Sequence, residues 1–374
     1  MKPSIWPRWL GPGGGRAFSV LRDPRTVTSF EQLGLTPRAC AKFPVPTEMQ
    51  KKMLTVVQSG KSLIARSPPG SGKSVAAALA LSKGTKEGPL KNLILVPTGG
   101  LAQQYAKLLS SLKIPVRQLY RTGKEYNDEM QHRSFVSGCS TLVATPTRLL
   151  DYMNYDASLV DLASLETLVI DELEEYEKKG KVTGVEVLAK YILGKADNPA
   201  VIVLSSVQRP LEFLQLAGVF EVQGKKRPFL EVSTDWETAK ASVFLTDPNG
   251  KTLDTNSDWI HSAKVSIDRY VEALANIWHG DGVVVVPSSV SPREIAQAVF
   301  SKLKHRVQIL HEQDLVGINF PDLKNLYILG WDQSYDLEKL VYTPQGSGSA
   351  VRIALTPAQT TEQGRALLAQ QSHL

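Results

Sequence analysis

Cysteine is scarce in this chain. Only Cys40 and Cys139 occur among 374 residues, which argues against a disulfide framework or a zinc site and suits a reducing compartment. No apolar run approaches the ~20 residues that a membrane-spanning helix needs, so no membrane span is expected. No internal repeat or low-complexity tract interrupts the sequence. Strong charge is missing too: the formal net charge is +6, too mild by itself to identify a nucleic-acid binder. What remains is 42% hydrophobic and 21% charged, a globular composition with length for two domains.

Among what is present, residues 63–79 say the most. An apolar run from Leu63 turns through Pro68, Pro69, Gly70, Ser71 and Gly72 into Lys73-Ser74, and an alanine-rich stretch follows. Gly-Ser-Gly-Lys-Ser is also ordinary loop composition. The strand before it and the helix after it make the difference, because that context lets backbone N–H groups and a helix N-terminus face an anion. Lys73 would supply a point charge and Ser74 a hydroxyl for Mg²⁺. The expected ligand is a nucleotide.

A second element lies about a hundred residues on. Leu168-Val169-Ile170 reads as a buried strand ended by Asp171-Glu172. Carboxylates at the C-terminal edge of a parallel sheet stand where ligands of open α/β folds bind. Asp171 would hold Mg²⁺, and Glu172 would orient or deprotonate an attacking water. The bland alternative is that residues 171–177 are the solvated start of a helix.

Apolar runs alternate with helical segments along most of the chain. The runs are Ser62–Arg66, Asn92–Val96, Thr141–Ala144, Thr167–Ile170 and Val201–Leu204, interleaved with Val75–Leu81, Gly100–Ser111 and Thr183–Leu193. Such alternation predicts βαβ units and parallel sheets. A second series follows the basic stretch Gln223–Pro228. Its strands are expected near Ser242–Leu245, Val283–Val286, Val307–Leu310, Leu326–Leu329 and Val351–Leu355, with helices Asp268–Trp278 and Pro292–Lys304. The expected fold class is α/β in two lobes, residues 30–222 and 233–356. A basic linker (223–232) joins them and a polar tail (357–374) follows.

Residues 1–29 look like an address. Lys2, Arg8, Arg16, Arg22 and Arg25 face one acid, Asp23, with Trp6, Trp9 and Leu10 as the apolar component. That is the profile of a mitochondrial targeting segment; a disordered basic tail of a cytosolic protein is the alternative. Arg16-Ala17-Phe18-Ser19 resembles a matrix processing site. Cleavage after Phe18 would remove Lys2, Arg8 and Arg16, three positive charges, and lower the net charge from +6 to +3.

Taken in order, these motifs resemble those of the DEAD-box RNA helicases across most of the chain after residue 29. Phe30–Leu35 and Phe43–Gln50 are similar to the family's adenine-reading segment, with Gln50 able to donate and accept at once. Ser67–Ser74 falls on the phosphate loop. Pro97-Thr-Gly-Gly-Leu-Ala102 and Thr145-Pro-Thr-Arg-Leu-Leu-Asp151 resemble two RNA-backbone motifs, Asp171-Glu-Leu-Glu174 the namesake and Ser205-Ser-Val207 the Ser-Ala-Thr motif. The resemblance implies two tandem RecA-like parallel-sheet lobes, ATP and Mg²⁺ as cofactors, and RNA as a partner gripped by its backbone. The implied nucleotide contacts are Phe30, Gln50, Gly70, Ser71, Gly72, Lys73 and Ser74. Lys73, Asp171 and Glu172 are the implied catalytic residues, with Ser74 and Asp171 on the metal. Pro97, Thr98, Thr145, Pro146 and Arg148 are the implied RNA contacts. A helix beginning after Thr145-Pro146 would point its N–H groups at a phosphate, and Arg148 would add a charge-assisted contact.

The departures from the family pattern have a direction. Gly99-Gly100 stand where the family has Arg-Glu. In the second lobe, Val316 stands for an arginine and Asn319 for an aspartate, and Tyr335–Ser349, which should carry an arginine-rich run reaching the γ-phosphate, contains no arginine. The chain between Lys304 and Val307 is too short for a strand–helix unit the family has there, so the second lobe is expected to be shortened. Leu173-Glu174 for Ala-Asp and Val207 for threonine are expected to weaken nucleotide–RNA coupling. Two functions follow from the resemblance. One is an RNA-binding protein of the mitochondrial matrix that holds ATP with hydrolysis weak or lost, working with ribonucleoprotein. The other is an active ATP-dependent RNA helicase, with an arginine supplied by an activating protein partner.

Overall fold

The computed structural model describes residues 23–81, 88–120, 139–178, 182–207, 221–222, 225–226, 229–234, 242–246, 266–287, 289–304, 307–311, 315, 323–330 and 350–354. The processing site near Phe18, the departures at Val316 and Asn319, the stretch Tyr335–Ser349 and the tail lie outside them.

The first unit is a seven-stranded sheet in the order β3-β4-β2-β5-β6-β1-β9, all parallel. Its strands are β1 (Ser62–Arg66), β2 (Asn92–Leu95), β3 (Val116–Leu119), β4 (Thr141–Ala144), β5 (Thr167–Ile170), β6 (Ala200–Ser205) and β9 (Phe229–Ser233). A two-stranded antiparallel ladder, β7 (Glu221–Val222) with β8 (Lys225–Lys226), precedes β9. The helices are α1 (Pro37–Lys42), α2 (Glu48–Gln58), α3 (Lys73–Ala80), α4 (Gly99–Ser111), α5 (Pro146–Tyr155), α6 (Leu173–Lys178) and α7 (Val182–Lys195).

Side-chain alternation divides the strands between two cores. Leu63 and Ala65, Ile94, Val169, Ile202 and Leu204 face one layer with α2, α3 and α4. Leu93 and Leu95, Leu168 and Ile170, Val201 and Val203 face the other with α5, α6 and α7. A sheet covered on both faces explains why β2 and β4 read as unbroken buried runs rather than alternating ones. Because every strand is parallel, the segments that follow β4, β2, β5, β6 and β1 emerge at one edge in that spatial order. Those segments begin at Thr145, Val96, Asp171, Ser206 and Ser67. Topology alone therefore gathers the motifs that the sequence spreads over more than a hundred residues.

Two expected boundaries move. The packed chain starts before residue 30: Asp23 caps a 3-10 turn at Pro24–Thr26, and Val27 is already in the core. The expected linker 223–232 contains β9, which pairs with β1 from Ser62↔Phe229 to Arg66↔Ser233 and is tied by an Arg66–Glu231 ion pair. Lys225, Lys226, Arg227 and Pro228 disguise an edge strand that begins one residue later.

The second unit is a five-stranded parallel sheet in the order β10-β14-β13-β11-β12. Its elements are β10 (Ser242–Thr246), α8 (Ile267–Ile277), β11 (Gly282–Val286), α9 (Pro292–Leu303), β12 (Gln308–His311), β13 (Asn325–Leu329) and β14 (Ala350–Ala354). Val271, Leu274 and Ile277 of α8 and Ile295 and Val299 of α9 cover Val284, Val286, Tyr327 and Leu329. Since β12 lies beside β11, α9 crosses directly between them as one short βαβ unit.

Candidate functional site

Where β1 ends, the chain wraps into a small loop. Ser67 N–H donates to Ser205 O (3.3 Å), and Gly70 and Gly72 take positive φ of 76° and 92°. Gly72 caps α3 with no side chain of its own to occupy the helix N-terminus. A Cβ there would lie 2.5 Å from Gln50 Nε2, so close approach and conformation both demand glycine. Lys73 is 5% exposed, and its Nζ donates to Ser67 O (2.6 Å) and Pro68 O (3.0 Å). The ammonium thus lies within the loop it would share with a phosphate. Thr47 Oγ1 donates to Ser71 O (2.8 Å) and braces the loop from outside.

Asp171 follows β5 at the same edge, fully buried. Its Oδ2 accepts from Ser74 Oγ (2.9 Å) and Tyr105 OH (2.6 Å), and its Oδ1 accepts from Glu172 N–H (2.8 Å). Burial pushes the Asp171 carboxyl above its usual value, and the bonds from Tyr105 and Ser74 and the charge of Lys73 oppose that shift. Tyr105 is held well above the ordinary phenol value, by burial first and the Asp171 charge second. Glu172 adopts a left-handed φ of 51°, a conformation that costs a non-glycine residue about 1–2 kcal/mol. A hydroxyl and a carboxylate within hydrogen-bond reach are the hard oxygen donors that Mg²⁺ takes, so Ser74 and Asp171 fit that ion. The chemistry such an ion supplies is neutralisation of phosphate charge.

Several expected contacts sit elsewhere. Phe30 is 1% exposed and packs in the core with Leu33, Leu35 and Met53, so it forms no ligand surface. Gln50 reaches the loop rather than open solvent. Its Oε1 accepts from Thr47 N–H (2.9 Å) in a capping box, and its Nε2 points at Gly72 O (3.5 Å). One further N–H and one lone pair of this carboxamide remain for a base edge. Arg148 is 2% exposed; α5 turns it inward as the largest fully buried side chain among the described residues, which corrects the expectation of a surface phosphate contact. Pro146 is buried beside it, while Thr145 stays partly exposed at the start of α5. Pro97 and Thr98 are partly exposed, and Thr98 Oγ1 caps α4 by accepting from Leu101 N–H (3.2 Å).

The glycine that replaces an arginine has a physical reason. A Cβ on Gly99 would stand 2.6 Å from the ring of Tyr120, whose hydroxyl accepts from Gln103 Nε2 (2.8 Å). The Tyr120 ring fills the space an arginine stem would need. At Glu174, the buried Oε1 accepts from Ser206 N–H (3.1 Å), so this acid joins α6 to the end of β6. Tyr105, Tyr120 and Thr47 escaped sequence reasoning. Tyr105 had one usable signal: a tyrosine on the apolar stripe Leu101-Ala102-Tyr105-Leu109 needs a partner for its hydroxyl.

Comparison with known proteins agrees with this arrangement. The DEAD/DEAH box helicase family model matches residues 47–208. RNA helicase CrhR of Synechocystis is 32% identical over 203 residues, covering 52% of this chain and 40% of that protein. The probable ATP-dependent RNA helicase DDX52 of Rattus norvegicus is 30% identical over 186 residues, covering 46% of this chain and 31% of its own length. The chain spans less than half the length of these relatives. Among solved structures, S. cerevisiae Dbp5 bound to RNA and ADP BeF3 is similar at a TM-score of 0.65 and 17% identity, covering 92% of this chain and 93% of that one. The DEAD-box helicase Mss116 bound to ssRNA and UDP-BeF gives 0.64 and 16%, covering 88% and 75%. At such identities the likeness shows a shared fold of two parallel-sheet α/β lobes. Residues 47–208 of this chain are thus similar to the DEAD/DEAH box helicase domain.

Proposed function

We propose that this protein binds MgATP in its first lobe and acts on RNA or ribonucleoprotein in the mitochondrial matrix, with hydrolysis weak or lost. The observation that carries the reading is the Ser74–Asp171 contact (2.9 Å) beside a buried Lys73, at a glycine-shaped helix start. These groups would bind and orient a triphosphate: Lys73 by charge and the α3 N-terminus by its N–H groups, while Ser74 and Asp171 would supply oxygen ligands to Mg²⁺. Glu172 would position the attacking water. What hydrolysis also needs is positive charge on the departing phosphoryl, worth about 10³–10⁵ in rate. No arginine occurs in Tyr335–Ser349, where the family supplies it.

RNA is the partner because relatives named as RNA helicases share the lobe. The mitochondrial address rests on the arginine-rich, acid-poor start of the sequence. A fusion lacking residues 1–22 that still reached mitochondria would refute that part.

Titration of a fluorescent ATP analogue with Mg²⁺ tests the central reading. Saturable binding by the wild type, lost in Lys73→Ala, is expected; equal affinity of the two proteins would contradict it.

One observation favours the alternative of an active, partner-assisted ATPase. The Glu174–Ser206 bond keeps the link between α6 and the Ser205–Val207 segment. A structural neighbour, yeast Dbp5 solved bound to Gle1 and IP6, is similar at a TM-score of 0.61, and by analogy a partner protein could switch this chain on. Phosphate release that rises on adding mitochondrial extract, and stays absent in Lys73→Ala, would select this reading.

A further inference from the structure

Asp171 carries more donors than a metal-bridging carboxylate needs from its loop alone. Its neighbour Glu172 gives a backbone N–H to Oδ1, and Ser74 gives a hydroxyl to Oδ2. Tyr105, two turns into α4, adds a second hydroxyl on that same Oδ2 at 2.6 Å. The terminal torsion of an aspartate is broad, so a single contact on one oxygen does not fix the plane of the group. Two O–H donors arriving from different helices, α3 and α4, do.

The arrangement is a poor choice for stability alone. Tyr105 is fully buried, and burying a hydroxyl against a charged carboxylate costs desolvation of both. A phenylalanine would fill the apolar stripe of α4 equally well. Conserving shape while adding a buried polar pair points to the carboxylate's orientation as the thing gained.

We infer that Tyr105 is a positioning residue that holds the Asp171 carboxylate toward Ser74, so that Mg²⁺ can tighten nucleotide binding. The inference rests on the reading that the first lobe binds a Mg²⁺–nucleotide. It adds a residue of α4, the helix that starts at Pro97-Thr98, to the metal corner of the site.

The test measures affinity for a fluorescent ADP with and without Mg²⁺, and needs no turnover. In Tyr105→Phe, the gain in affinity brought by Mg²⁺ is expected to fall by about tenfold, the usual effect of removing a group that orients a metal ligand. Metal-free affinity stays within about twofold, since no loop contact to the phosphates is touched. In an Asp171→Asn background, Tyr105→Phe should change the Mg²⁺ gain no further, because the residue acts through Asp171. Should Tyr105→Phe fail to fold, a fluorine-labelled tyrosine at position 105 of the otherwise native chain gives the answer. Its resonance is expected to move when Mg²⁺ is added at constant ADP, and a resonance that stays fixed overturns the inference. A wild type that binds no nucleotide removes both this inference and the functional reading. A wild type whose Mg²⁺ gain survives intact in Tyr105→Phe removes the inference alone.

Discussion

Asp171 shows at the scale of one residue how a site works against its own fold. Burial raises its carboxyl above the usual 3.8 despite three hydrogen bonds. The folded state therefore holds this proton more tightly than the unfolded chain does, and the ionised form costs stability at every pH above the folded pKa. That cost disappears as the pH falls through the folded value toward 3.8. Asp171→Asn is accordingly expected to raise the melting midpoint of the ligand-free protein at pH 7, by about 2–4 °C for each kcal/mol relieved in a domain of this size. Ser74 and Tyr105 hydroxyls can turn to accept from the new amide. The gain over wild type should shrink on acidification; a gain that is constant or grows would show that charge is not its origin. Glu174 behaves oppositely. Glu174→Ala strands the buried Ser206 N–H, and about 1–3 kcal/mol of stability should be lost in urea unfolding.

At the scale of elements, the α/β alternation was legible because β-branched and leucine runs such as Leu168–Ile170 can only be buried strands between amphipathic helices. Helix ends expected from the sequence fall within a residue or two of those found, as with Pro292–Lys304 against α9 (Pro292–Leu303). β3 (Val116–Leu119) was missed since Arg117 and Gln118 interrupt its apolar pattern at the sheet edge. β9 was missed for a related reason, its basic approach imitating a linker. The site was legible as a string of motifs on loops, but the side chains that brace it were not. Tyr105 reaches Asp171 across 66 residues, and Tyr120 meets Gly99 across 21; only the packing of α4 reveals either contact. The second contact makes its own prediction. Gly99→Ala should cost about 1–3 kcal/mol through overpacking against the Tyr120 ring. Combining it with Tyr120→Ala should cost less than the two changes summed, as denaturant midpoints would show. Strict additivity would mean that the ring yields freely.

For the whole molecule, the two sheets carry unequal inheritances. The first delivers lysine, serine, aspartate and glutamate to one sheet edge through strands β1 and β5, and strand order does the gathering. The second is built of the same βαβ units, and α8 and α9 pack a complete apolar layer on β11 and β13. Its segment Tyr335–Ser349 contains no arginine. The second unit still carries cations such as Arg269, Arg293, Lys302 and Lys304; if the proposed RNA binding uses them, affinity should fall with salt as phosphate contacts are screened.

RNA-stimulated phosphate release by the purified protein at saturating MgATP tests this account most directly. Tight nucleotide binding with turnover below ~0.1 s⁻¹ is expected, since loss of the arginine contribution takes an ordinary rate down by about 10³-fold or more. Turnover well above that value by the protein alone, abolished in Lys73→Ala, would contradict it.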